Sequence, residues 1–168
     1  MSEIKTKLKT AYFPQEISEK LENFLTRYPE NQRQSAVIAG LHVLQDYNSG
    51  YLTIELMERL SHFLDIPLSS VCEVATFYSM YQLKPVGRHT VNVCNNISCL
   101  LKGSKEIIKH IEKKLCITTG KMTVDGRITL QSVECQGACC GAPMLEVDKV
   151  FHENLTINKV NKILDNLE

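Results

Sequence analysis

Residues 89–99 read HTVNVCNNISC and residues 134–143 read ECQGACCGAP, and the way these two stretches present cysteine decides the fold. His89 to Val93 alternates and carries β-branched Val91 and Val93, as a strand does. Cys94 follows directly and opens a C-x4-C pair with Cys99, while Cys135 and Cys139 form a C-x3-C pair downstream. A five-residue separation does not stack on one helix face. The first pair is therefore expected on a loop, which suits Asn95 and Asn96.

Between the two pairs, Ser104 is placed to cap a helix with Ile107, Ile108, Ile111 and Leu115 on its buried face. Asp125-Gly126 then separates Met122–Val124 from Ile128–Leu130, a hairpin signal because both turn positions accept positive φ. The second cysteine pair follows the hairpin's second strand. Met144 to Val147 and Val150 to Phe151 make a further strand pair. Thr156 then caps a terminal helix turning Ile157, Val160, Ile163, Leu164 and Leu167 inward.

Upstream of the strand the pattern is helical. Ile17, Leu21, Phe24, Leu25 and Tyr28 form one stripe, and Val37, Ile38, Leu41 and Leu44 a second, which stops at Asn48-Ser49-Gly50. Thr53 is expected to cap a third helix through Leu56, Met57, Leu60 and Leu64, ending before Pro67. Ser69 or Ser70 is expected to cap a fourth, with Val74, Ala75 and Tyr78 on its face. The pattern breaks at Lys84-Pro85-Val86-Gly87. This predicts an α+β protein with an N-terminal helical bundle over 1–85 and an α/β domain over 86–168.

The 168 residues, 43% hydrophobic, suit two small lobes with limited cores. Nineteen basic residues balance nineteen acidic ones, so charge advertises neither nucleic acid nor an anionic membrane as partner. No window approaches the roughly 20 apolar residues of a membrane span. No signal-peptide core follows Lys5, Lys7 and Lys9, so the chain is expected to stay where it is made, without inserting in a membrane. In such a reducing compartment disulfides rarely persist, and seven cysteines point to metal.

A binuclear iron-sulfur cluster needs four thiolates in two chelating pairs, which Cys94, Cys99, Cys135 and Cys139 supply. Small residues at Gly137, Ala138, Gly141 and Ala142 let backbone N–H groups approach the sulfurs, favouring the cluster's more negative state, whereas Glu134 opposes it. Tetrahedral zinc in a stapled interaction module is the competing reading, because both spacings also suit zinc. Two disulfides are a weaker rival. Cys140 leaves a second choice open, since Cys135 to Cys140 would repeat the C-x4-C spacing. Cys72 and Cys116 are expected to be small buried hydrophobes, and His89 a surface or core residue. Neither G-x-G-x-x-G after a strand nor G-x-x-x-x-G-K-[ST] occurs, so no NADH site is expected in the chain itself. No C-x-x-C is present for dithiol exchange.

With Cys94-Asn-Asn-Ile-Ser-Cys99 and Glu134-Cys-Gln-Gly-Ala-Cys139 go Val74-Ala-Thr-Phe-Tyr-Ser-Met-Tyr81, Pro85-Val-Gly-Arg-His89, Val124-Asp-Gly-Arg127 and Gly141-Ala-Pro143. In this order and spacing, over nearly the whole chain, the sequence resembles the thioredoxin-like 2Fe-2S subunit of NADH-quinone oxidoreductase, respiratory complex I, which in bacteria is the E subunit. The resemblance implies a helical region joined to a thioredoxin-like α/β ferredoxin domain. It implies one 2Fe-2S cluster on Cys94, Cys99, Cys135 and Cys139, with Cys140 a departure from the family. It also implies a flavin- and NADH-binding partner subunit, which passes single electrons to the cluster, and other peripheral-arm subunits. The complex would hold the chain on the cytoplasmic, inner face of an energy-transducing membrane. NAD-linked hydrogenases and formate dehydrogenases use similar chains. The fold often carries a cis proline before a strand, which makes Pro143 a candidate.

Overall fold

The computed structural model describes residues 12–168, so Lys5, Lys7 and Lys9 lie outside the described residues. The chain divides into two compact units, one ending at Pro85 and the other beginning at Val86.

Among the described residues the first unit holds four α-helices, α1 (Gln15–Leu25), α2 (Val37–Tyr47), α3 (Ile54–Leu64) and α4 (Leu68–Phe77), with a 3-10 segment (Glu30–Ala36) before α2. Their stripes bury one another. Ile17, Leu21, Val37, Leu41, Leu44, Leu56, Met57, Leu60, Leu64, Val71 and Ala75 share one apolar core. Ile38, Tyr28 and Tyr78 stay exposed, because each falls to the side of its helix's buried stripe or just beyond the helix. Thr53 caps α3 by accepting a hydrogen bond from the Leu56 N–H at 3.3 Å. At the other end of α3 the Arg33 guanidinium donates to the Phe63 and Leu64 carbonyls at 2.9 and 2.8 Å, satisfying acceptors that the helix leaves open. Ser49 and Gly50 adopt positive φ at the turn after α2. The expected serine cap of α4 is corrected. Pro67 is the N-cap residue and Leu68 already begins the helix, because proline's fixed φ suits a helix start and needs no donor there.

Tyr81 closes this core. Its hydroxyl donates to the Ile38 carbonyl at 2.9 Å, and burial, with the neighbouring Tyr78 adding to it, pushes its phenol from 10.0 up to about 12. A folded value above the unfolded one means the contribution is complete below about pH 10 and is lost as pH climbs towards about 12, when only the unfolded chain gives up the proton. The urea midpoint, followed by circular dichroism, is expected to fall further between about pH 9 and about pH 11.5 in the native chain than in Tyr81→Phe. Equal falls would refute the assignment.

The second unit runs β1 (His89–Cys94), α5 (Ile97–Leu101), α6 (Ser104–Leu115), β2 (Lys121–Met122), β3 (Ile128–Val133), β4 (Leu145–Val147), β5 (Val150–His152) and α7 (Ile157–Asp165). The strands form one sheet in the order β2-β3-β1-β4-β5. β1 pairs in parallel with β3, His89 opposite Ile128 through Cys94 opposite Val133, and antiparallel with β4. Val91, Val93, Ile128, Leu130, Leu145 and Val147 join Ile107 and Ile111 of α6 and Val160 and Leu164 of α7 in one core. This is the mixed helix-and-sheet class expected.

Local details differ from expectation. Gly103, with φ of 92°, is the N-cap residue of α6, and Ser104 is buried as the first helical residue. In the β2–β3 hairpin only Gly126 takes positive φ. The Asp125 carboxylate instead accepts from the Arg127 N–H at 3.0 Å, and β2 is two residues long. The tight two-residue turn lies between β4 and β5, where Asp148 and Lys149 both have positive φ. Ile157 is exposed, because a helix lying on a sheet buries only one stripe. Cys72 packs against the helical core as expected, whereas Cys116 is exposed at the end of α6 with φ of 53°.

Gly87 sets the entry to β1. Its N–H donates to the Thr129 hydroxyl at 2.7 Å, and a Cβ there would lie 2.9 Å from backbone atoms of Arg127 and Ile128. Backbone yields less readily than a side chain, so Gly87→Ala is expected to cost about 1–3 kcal/mol, read from urea denaturation. An unchanged midpoint would show that the strands separate there freely.

Candidate metal centre

Parallel pairing of β1 with β3 assembles the site. Strands running the same way finish at the same sheet edge, and here β1 finishes at Cys94 opposite Val133, two residues before Cys135. The two cysteine segments, far apart in sequence, thus leave the sheet side by side. The Asn95 N–H donates to the Val133 carbonyl at 3.0 Å, extending the ladder one step. Side chains then tie the segments together. The Asn95 amide donates to the Ser132 hydroxyl at 2.7 Å, and the Asn96 amide donates to the Glu134 carboxylate at 3.1 Å.

Cys99 corrects the expectation of a loop. It sits inside α5, a short helix capped by the Asn96 side chain, which accepts from the Ile97 N–H at 2.8 Å. The spacing argument fails because Cys94 is on the strand and only Cys99 is helical. Cys94 and Cys99 are 3% and 2% exposed and pack with Met144, with Ala138 and Ala142 alongside. Ala142–Pro143 is a cis peptide bond, and it leads to Met144 and β4. The Cys94 N–H donates to the Met144 carbonyl at 3.3 Å.

The outer pair is different. Cys135 and Cys139 are exposed, with Cys139 opening a 3-10 turn (Cys139–Gly141), and their sulfurs lie 3.5 Å apart. Gly137, at φ of 84°, bends the segment so that its N–H points at Cys135 Sγ from 3.4 Å. Cys140 is exposed beside Cys139. Outside the centre, His89 Nδ1 pairs with the Asp148 carboxylate at 2.5 Å and His89 Nε2 faces the Glu168 carbonyl at 3.0 Å.

Electrostatics link the pairs. Burial pushes the Cys99 thiol up, with the bond from Cys94 adding to it, while the Met144 N–H pulls the other way. The Cys139 thiol is raised chiefly by its bond to Cys135 and by that residue's charge. A hydrogen bond with Ser98 of α5 opposes this. Both thiols also feel one another's neighbourhood: Cys139 acts on Cys99, and Cys94 on Cys139. The cysteines thus stand as two pairs, one buried and one open. Among the described residues, no three His, Cys, Asp or Glu side chains close around a single point.

As a donor set this fits an iron-sulfur cluster. Its four thiols come as two pairs, an N–H already addresses one sulfur, and apolar Met144, Ala138 and Ala142 screen the inner pair from water. Sequence reasoning did not find Met144 or Ser98. The Asn-x-Ser run after Cys94 was the available signal, since both residue types bond backbone and neighbouring side chains at helix starts.

Residues 21–168 match the family model of the thioredoxin-like [2Fe-2S] ferredoxins, and the chain belongs to that family. Two similar curated chains carry NADH-oxidoreductase names. The E subunit of NADH-quinone oxidoreductase from Rickettsia typhi is 38% identical over 144 residues, covering 86% of this chain and 85% of that one. The mitochondrial NADH dehydrogenase [ubiquinone] flavoprotein 2 of Dictyostelium discoideum is 38% identical over 156 residues, covering 93% of this chain and 63% of its own. Among solved structures, a chain of an NAD+-reducing [NiFe]-hydrogenase shares the fold at a TM-score of 0.69 and 20% identity, over 83% of this chain and 24% of that one. At this identity and coverage the chain belongs with the E subunits of NADH-quinone oxidoreductase as a family, and its 2Fe-2S domain is of the thioredoxin-like kind. Among the described residues no helix is long and apolar enough to cross a membrane.

Proposed function

We propose that Cys94, Cys99, Cys135 and Cys139 hold one 2Fe-2S cluster, through which the chain exchanges single electrons with the flavin of an adjoining NADH-binding subunit. The observation that carries this is the arrival of both cysteine segments at one sheet edge, through the Cys94–Val133 register. When bound, such a cluster supplies one-electron oxidation and reduction. The chain's own residues do the rest. Cys94 and Cys99 give two thiolates from a water-poor setting, and Cys135 and Cys139 give two from an open one. Gly137 directs an N–H dipole at the Cys135 sulfur, which favours the more reduced state. The Asn96–Glu134 and Asn95–Ser132 bonds keep the two segments from drifting apart.

The partner surface, the peripheral-arm neighbours and a post on the inner face of an energy-transducing membrane follow by likeness to the respiratory relatives. So does the role of an electron store beside the flavin, without an NADH or quinone site in this chain. Service in an NAD-linked hydrogenase or formate dehydrogenase is the second reading. The hydrogenase reading has the fold likeness in its favour but only 20% identity, against 38% for the respiratory relatives.

Anaerobic purification with iron, zinc and acid-labile sulfide counts tests the cofactor. Two irons and two sulfides per chain are expected. Zinc without sulfide would replace this reading with the stapled module. In single alanine variants Cys139→Ala is expected to lose colour and Cys140→Ala to keep it, and the reverse would reassign the fourth ligand.

A further inference from the structure

We propose that in the cluster-free chain Cys135 and Cys139 close into a reversible disulfide, formed by exchange with a low-molecular-weight disulfide such as oxidised glutathione. Their sulfurs are already 3.5 Å apart, so reaching the roughly 2.05 Å of a disulfide takes a movement of about 1.5 Å. The intervening residues permit it. Gly137 sits at positive φ with nothing within 4 Å of where a Cβ would be, so the loop has open space at that residue. Both cysteines are exposed to a soluble reagent.

The selectivity comes from the contrast with the inner pair. Cys94 and Cys99 are only one residue further apart in sequence and also bonded to one another, but they are buried with Met144. A tripeptide disulfide must approach the attacked sulfur in line, and buried cysteines deny that approach. The same fold thus offers one reactive dithiol and one protected dithiol.

In the exchange, the Cys135 thiolate attacks one sulfur of oxidised glutathione, forming a protein–glutathione bond and releasing one glutathione thiolate. The Cys139 thiolate then attacks the Cys135 sulfur of that bond and releases the second. Two protein thiols are oxidised, one glutathione disulfide is reduced to two thiols, and two protons pass to solvent and glutathione. A dithiol reductant reverses both steps. The disulfide itself needs only the observed geometry. A second consequence rests on the proposed cluster reading: oxidised sulfurs are not thiolates, so the bonded chain cannot take up iron and sulfide until it is reduced.

The full-length chain, freed of iron under reductant and desalted without air, is treated with oxidised glutathione, quenched in acid, alkylated and digested with trypsin. All three outer cysteines fall in the peptide 128–149, because no lysine or arginine interrupts it. The expected product carries alkyl label on Cys140, lacks two hydrogens between Cys135 and Cys139, and bears label on Cys94 and Cys99 elsewhere. Cys140→Ser is expected to give the same bond. A lasting glutathione adduct without closure, a bond involving Cys94 or Cys99, or loss of the bond in Cys140→Ser would overturn the proposal. Supplying ferrous iron and sulfide to the two forms separates the readings. The reduced chain is expected to become coloured, and the oxidised chain only after dithiothreitol is added. If the bonded form colours equally, the proposed block fails, and if the reduced form stays colourless, the cluster reading fails while the disulfide stands.

Discussion

A chain carrying Cys99→Ala is expected to purify colourless, with iron and sulfide at background, while its far-ultraviolet circular dichroism stays native. Alanine offers no donor, and nothing in the same segment can stand in. The residues around Cys99 are Asn95, Asn96, Ile97, Ser98 and Leu100, whereas Cys139 has Cys140 as its neighbour. The deleted sulfur is buried, so the fold loses a contact of about one methylene's worth, roughly 1 kcal/mol. That is small beside a cooperative unfolding free energy of about 5–15 kcal/mol. Colour and protein stability are thus expected to separate in this variant. Native colour in Cys99→Ala would remove Cys99 from the ligand set, and collapse of the dichroism would mean the sulfur matters for folding first.

Leu60→Ala is expected to be the most damaging single change in the helical unit, at about 2–5 kcal/mol. Leu60 is fully buried, and its methyls fill the space in front of Gly40, where a Cβ would lie 2.9 Å from Leu60 Cδ1. Gly40 lets α2 and α3 approach, and Leu60 occupies what the glycine leaves. Gly40→Ala alone gains helix propensity of about 1 kcal/mol and loses it again by pushing the leucine aside. In the double variant the alanine methyl enters the vacated space, so the two costs are expected not to add, with a favourable coupling of about 1 kcal/mol. All six tyrosines lie at or before Tyr81 and the chain has no tryptophan, so tyrosine fluorescence in urea reports this unit alone. Strict additivity would mean the two residues do not share that space.

Much of this was legible because it rests on local repetition. The stripes of α1 to α3, the Thr53 and Thr156 caps and the β1 strand each repeat a period or a cap over enough residues to be read. What escaped was short or depended on partners distant in sequence. α5 spans five residues, less than two turns, so no period could reveal that Cys99 is helical. Pro67 outcompetes Ser69 and Ser70, and Gly103 takes the cap position ahead of Ser104, because the glycine alone adopts the left-handed turn at low cost. Asp148 and Lys149 form a tight turn without the glycine that usually announces one; Asp148 accepts from the Thr90 N–H at 2.9 Å, a bond invisible until β1 and β4 are paired. The cysteine spacing could not choose between Cys139 and Cys140, since that choice depends on where the sulfurs point and not on how many residues separate them. Met144 at the inner pair is likewise a product of sheet order, reaching Cys94 only because β4 lies beside β1.

The central position of β1 also governs the order of events during synthesis. Both of its neighbours, β3 and β4, come later in the chain than β1 itself. A ribosome that has just delivered Cys94 and Cys99 has made a strand with no companion until translation passes Val133, and its other side stays open until translation passes Val147. Stalled or truncated products that stop short of β4 therefore expose Val91 and Val93 together with reactive thiols, a combination that quality-control proteases and chaperones are suited to detect.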